Sequence, residues 1–311
     1  MPLAVDFPKW TPHPDVWLLV GLFAAGYAIA IVRWGPRLAP TRPHRVHRVD
    51  SAGSSVSSDD ASAPSPCDRP AVSRFQVTCW CLGLFALWIA SDWPVHDIAE
   101  QYNYSIHMMQ HLVFSMVVAP LLLLGTPAWL LRRLLRPPGL LHVVRAFARF
   151  VPALLVFNIV LVITHWPAVV NESLSSGLVH FSLHALLFVS SLIVWLPIVS
   201  PLPEIPRLVP VMQMLYLFAW SVVPTVPASF LTFGSAPLYK FYETVPHLFG
   251  LSTLDDQQLA GLIMKIGAGL LLWAIIAVVF FRWAAEEERA NTPRRGLDEL
   301  DRELTQMGLR R

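Results

Sequence analysis

The chain has 311 residues, 55% of them hydrophobic and only 14% charged, with a formal net charge of +2. Such a composition, with its positive mean hydropathy, excludes an ordinary soluble globular protein. So small a basic excess gives no ground for nucleic-acid binding, and three cysteines, Cys67, Cys79 and Cys81, make no disulfide framework.

The first fourteen residues have no basic run leading to a small-residue cleavage site, so no cleavable signal is expected. A first apolar span covers 16–32 and is followed by Arg33, Arg37, Arg42, Arg45, Arg48, Arg69 and Arg74. Between them, 40–70 is rich in Ser, Ala, Pro and Asp without apolar periodicity, the signature of a disordered linker. The second span, 75–91, opens with Cys79 and Cys81. Two positions apart on a helix their thiols diverge by about 200°, so they are read as packing residues. Asp92 closes this span, and the loop after it carries Asp97 and Glu100 with no Lys or Arg.

The third span, 104–125, carries His107 and His111, and Pro120 bends it. Arg132, Arg133, Arg136, Arg145 and Arg149 follow. The fourth, 151–165, is the shortest and needs the flanking Phe147, Phe150 and Trp166 to cross a bilayer. After a loop whose one charge is Glu172 comes the fifth span, 179–199, opening with His180 and His184. The sixth, 208–233, is expected to break at Pro224 and Pro227, since each proline removes a backbone donor. The stretch Tyr239-Lys-Phe-Tyr242 in the next loop is read as an interfacial anchor in preference to a cap on the outer site or a partner contact. Asp255, Asp256 and Gln257 precede the seventh span, 259–283, where Gly261, Gly267 and Gly269 permit close helix approach. The tail beyond 284 shows Leu297, Leu300, Leu304 and Met307 at helical spacing, as a short amphipathic helix or a solvated segment.

The expected fold is therefore all-α, a polytopic membrane protein with a seven-transmembrane-helix bundle. The Arg-rich connections place the N-terminus out and the C-terminus in. Its parts are 1–39 with the first span, the linker 40–74, a six-helix core 75–283 and a charged tail 284–311. No internal repeat supports a transporter of inverted halves. No nucleophile elbow, phosphate loop or dinucleotide fingerprint occurs, and an enzyme is not expected.

On this topology His13, His96, His107, His111, His165, His180, His184 and His247 all fall toward the outer side. The two i, i+4 pairs, His107/His111 and His180/His184, begin spans that run in the same direction, so both pairs lie at similar depth. Four imidazoles on two helices are the candidate metal ligands, with Met108, His165, Asp92 and Asp256 as further ones. Imidazole with thioether suits copper better than magnesium or calcium, and zinc stays open. Haem held by two histidines is the first alternative. The second is a metal-free structural scaffold, in which the histidines bond between helices.

The stretch Tyr104-Ser-Ile-His-Met-Met-Gln-His111, followed by Ala119-Pro120-Leu-Leu-Leu-Leu-Gly125-Thr-Pro127, resembles the third-helix signature of the CtaG family of cytochrome c oxidase assembly proteins, first associated with caa-type oxidases. His180 and His184 leading to Trp195-Leu-Pro197 look like its second signature. Pro237-Leu-Tyr239 with Asp255-Asp-Gln257-Gln-Leu-Ala-Gly261 look like its third. The long Ser-rich linker, the paired Asp255 and Asp256, and Ala260 in place of an expected glycine depart from that pattern. The resemblance implies a factor of the bacterial cytoplasmic (inner) membrane that handles copper on the outer side. Its implied partners are haem-copper oxidase subunits and a periplasmic copper donor.

Overall fold

A computed structural model describes residues 7–38 and 71–306, and among these the regular structure is entirely helical. The Ser-rich stretch 40–70, Cys67 and Met307 lie outside the described residues, as do the side chains of Leu297, Leu300 and Leu304.

In chain order the helices are α1 (Pro14–Leu38), α2 (Arg74–Ser91), α3 (Val95–Gln101), α4 (Tyr104–Gly125), α5 (Ala128–Leu134) and α6 (Leu140–Phe147). They continue as α7 (Phe150–Thr164), α8 (Pro167–Ser175), α9 (Gly177–Val199), α10 (Pro210–Phe233), α11 (Lys240–Glu243) and α12 (Thr253–Ala290). Six are long and apolar enough to cross a membrane, or seven if α6 and α7 are counted as one bent span. This is the architecture of a multi-pass membrane protein. Large apolar side chains such as Leu18, Leu82, Phe85, Leu178, Phe230 and Leu270 stay exposed on its flanks, where lipid would cover them.

The fourth span is where the expected count is least secure. At 1.5 Å per residue, α7 reaches only about 22 Å, and α6 meets it at 87°. In α10 the chain breaks between Val222 and Thr225, at Pro224. Pro227 makes no second break, because it lies in the first turn after Pro224, where backbone donors lack partners anyway. The last helix starts at Thr253, six residues earlier than expected, because Ser252 and Asp255 form a capping box. Its backbone runs on to Gln306, so the tail continues the last span instead of forming a separate element.

Helix directions alternate. The starts of α1, α4, α9 and α12 therefore meet the ends of α2, α7 and α10 at one end of the bundle, and every candidate metal ligand lies there. At the opposite end Arg132 makes a two-pronged pair with Glu204 (2.7 and 3.1 Å), and Arg133 lies over the Trp34 ring. Between the ends, Trp195, Trp220, Tyr216, Phe157 and Leu272 form a dry core, with Trp195 edge-on to Trp220 at 5.1 Å.

A π-helical turn, Phe114–Val118, interrupts α4 just below His111. Its wider winding leaves carbonyls without their usual partners, and the Trp195 indole of α9 donates to Ser115 O at 2.7 Å. Toward the histidine end of the bundle α12 crosses α10 closely at Gly261. A methyl group there would sit 2.8 Å from both Ala228 O and Thr232 N, whereas one at Gly269 would meet open space. Gly261→Ala is accordingly expected to destabilise by about 1–3 kcal/mol. Gly269→Ala should be neutral or stabilise by about 0.5–1 kcal/mol. Thermal unfolding of the detergent-purified variants measures both, and equal behaviour of the two would refute the packing assignment.

Candidate metal centre

The first turns of α4 and α9 bring their histidines face to face inside the bundle. Within each helix the i, i+4 pairs lie one above the other with their rings tilted, centroids 4.4 Å apart for His107 and His111 and 4.3 Å for His180 and His184. Across the interface His111 lies 4.7 Å and His107 5.4 Å from His184. His107, His111 and His180 are buried and His184 half-buried, so none of the four turns fully toward lipid.

Three of the four converge. His107, His111 and His184 each offer one nitrogen within 4.8 Å of the other two. His111 Nε2 and His184 Nε2 stand 3.0 Å apart. Two nitrogens bound tetrahedrally to one ion at about 2.0–2.1 Å would be about 3.3 Å apart, so little movement separates this arrangement from coordination. Without an ion one ring must donate to the other. Nδ1 of His107 and Nδ1 of His111 are buried with no partner, each at a cost of about 1–3 kcal/mol. The fourth ring is engaged elsewhere: His180 Nε2 lies 2.8 Å from Glu100 Oε1. That contact is short, but its direction is not that of an aligned hydrogen bond.

Beside the trio His165 and Met108 form a second pairing. His165 Nδ1 lies 2.8 Å from Leu161 O and can only donate to it, which leaves Nε2 as a lone pair 3.3 Å from Met108 Sδ. The His165 ring is 5.8 Å from His111. A cavity of about 50 Å³ adjoins them, lined by Met108, His111, Met116, His165 and Met264 among others.

The two carboxylates among the candidate ligands are occupied by other donors. Asp92 accepts from the indoles of Trp17 and Trp88, both at 2.7 Å, and from Trp93 N at 2.8 Å, which ties α1 to α2. Asp256, fully buried, accepts from Tyr104 N (2.6 Å), Ser105 N and Asn103 Nδ2 (both 3.2 Å) and the Ser105 hydroxyl. It therefore caps the start of α4 from another helix. This satisfies amides that the turn itself cannot pair and fixes how α4 presents His107 and His111.

Tyr239 and Tyr242 are not interfacial anchors. Both are buried, packed on Tyr104 at 4.6 and 5.2 Å, and their hydroxyls donate to His165 O and Ala99 O. They roof the site, and an anchor would need its polar tip in water.

Glu100 was visible in the sequence only as a loop charge. On α3, a helix too short to stand out by periodicity, it lies between His180 and His96, the latter 3.3 Å away. Burial pushes its carboxyl up, but the His180 contact and the nearby His96 and His184 outweigh this and hold it below the usual carboxylate range. Burial holds His96 below the usual imidazole range, against the pull of Glu100.

The family model described as cytochrome c oxidase caa3 assembly factor (Caa3_CtaG) matches residues 64–286. No curated protein and no solved structure matches the chain. The matched stretch contains α2 to α11, most of α12 and all of the gathered histidines, and it leaves α1 outside.

Asp256→Ala strips the cap from α4 and leaves several buried donors bare. A loss on the order of 3 kcal/mol is expected, a fall in Tm of about 6–12 °C. Asp256→Asn, which keeps one acceptor, should lose about half as much. A Tm unchanged in both would show that the cap does not hold the helix.

Proposed function

The chain belongs to the family of cytochrome c oxidase caa3 assembly factors, and we propose that it serves assembly by holding copper between α4 and α9 and passing it to a haem-copper oxidase under construction. The observation that carries this reading is the buried trio His107, His111 and His184, whose nitrogens lie within 4.8 Å of one another while two ring nitrogens lack any partner. Burying so many imidazoles in a membrane bundle is costly unless they bind something. Nitrogen donors beside the Met108 thioether suit copper, whereas oxygen donors would be expected around a harder ion.

The Arg-bearing ends of α1 and α5 lie opposite the histidines. By the positive-inside tendency this puts the site on the outer face of the bacterial cytoplasmic membrane. The arrangement is then seven spans, α6 and α7 counted as one, with the N-terminus out and the C-terminus in. Copper would arrive from a periplasmic donor and leave to an oxidase subunit, both by ligand exchange, so the chain has no catalytic step. His107, His111 and His184 hold the ion, and His180 lies one ring away as an exchanging ligand. His165 with Met108 provides a softer pair. Haem fits less well, because the adjoining cavity of about 50 Å³ is far below the roughly 300 Å³ of even small ligand pockets.

Elemental analysis of purified protein tests the reading. The native chain should retain copper, and His107→Ala/His111→Ala should weaken retention by at least the 10–100-fold typical of losing even an outer-shell partner. Unchanged copper in the double variant sinks the site, and a Soret band in the native sample would favour haem instead. Met108→Leu separates the soft pair from the trio. It should weaken Cu(I) by about tenfold and leave Zn(II) unchanged, since zinc gains little from a thioether.

A further inference from the structure

We propose that His13, His96, Glu100 and His180 form a loading path along which copper travels from the aqueous surface to the three-histidine site, a proposal that rests on the copper reading above. Three separate elements build it: the segment leading into α1, helix α3, and the start of α9. Ring centroids step from His13 to His96 at 5.2 Å, from His96 to His180 at 6.3 Å, and from His180 to His184 at 4.3 Å. Glu100 Oε1 fills the longest step, 3.3 Å from His96 Nε2 and 2.8 Å from His180 Nε2.

The outer members are part-exposed and the inner ones closed off: the side chains of His13, His96 and Glu100 are 19%, 22% and 31% exposed and that of His180 10%, and beyond it His107 and His111 are buried while His184 is half-buried. His180 is the hinge of the path, because its Nε2 is buried and has no aligned partner although a carboxylate oxygen is close by. An imidazole pinned for structural reasons alone would be expected to complete that bond.

The mouth is held in place independently of any ion. Asp97 accepts from Thr11 Oγ1 at 2.7 Å and pairs with His13 Nε2 at 3.0 Å, which fastens the N-terminal segment over α3. With Nε2 donating to Asp97, the Nδ1 of His13 carries the lone pair that could meet an incoming ion. Gln110 lies with Nε2 3.3 Å from His96 Nδ1, which orients that ring with its other nitrogen toward Glu100.

Donor chemistry changes in one direction along this route. Carboxylate with imidazole stands at the surface, imidazole alone in the trio, and imidazole with thioether at His165 and Met108. Softer donors favour Cu(I), and each step is a ligand exchange in which the ion keeps its charge and no electron moves.

Stopped-flow loading tests the path, using the full-length protein and Cu(I) presented as its coloured bathocuproine disulfonate complex. Glu100→Gln and His96→Gln should take up the same copper per chain at equilibrium as the native protein but load it about tenfold more slowly, a loss of the size that removing an outer-shell metal partner produces. Glu100→Asp should restore part of the rate. Equal loading rates in native protein and both variants would overturn the path and leave the trio standing, with the cluster a surface ion-pair group only. Loss of equilibrium capacity in both variants would also overturn it, since they would then belong to the binding site. If the native protein takes up no copper at all, the copper reading itself fails and the path with it.

Discussion

The fully buried Asp256 carboxylate accepts four hydrogen bonds from the first residues of α4, and the geometry of the histidine cluster depends on that contact. A helix starting inside a membrane bundle has amides that neither water nor lipid can satisfy. Asp256 supplies the missing acceptor from α12, and Asn103 extends the link by accepting from Leu248 N at 3.1 Å. At the far side of the histidines, Trp195 of α9 bonds Ser115 O in the π turn at 2.7 Å. One end of the His-bearing stretch of α4 is therefore held by α12 and the other by α9. A rotation of roughly 100°, one residue's worth, would carry His107 and His111 out of the interface.

The same logic separates what could be read from the sequence from what could not. Two histidines at i, i+4 on one face follow from local periodicity, and so does the shared depth of the two pairs once span directions are assigned. Which three rings converge does not follow, because it depends on rotation about helix axes set by distant contacts such as Asp256. Spans have a strong sequence signal because about 20 apolar residues are hard to mistake. A shorter helix after an 87° bend blurs it, and so α6 and α7 leave the count at six or seven. The predicted topology placed Asp92 and Asp256 near the histidines but could not tell that indoles and amides would claim their oxygens. Glu100 was legible as a loop charge but not as part of a site, since a seven-residue helix in a polar loop has no periodicity to recognise.

On the proposed copper reading the chain would face a carrier's opposing demands, and the arrangement of side chains would meet both. Tight retention would need a closed shell of four ligands, yet a cargo that must be handed on needs a position left open. Here the fourth imidazole, His180, is turned to Glu100 at 2.8 Å instead of completing the trio. On the proposed reading a bound ion would keep an open position there, with the His180 ring 4.3 Å from His184 and able to take part in exchange. Tyr239 and Tyr242 close the roof over Tyr104. His184, the one half-buried member of the trio, then becomes the natural point at which a partner's ligand would first reach the metal.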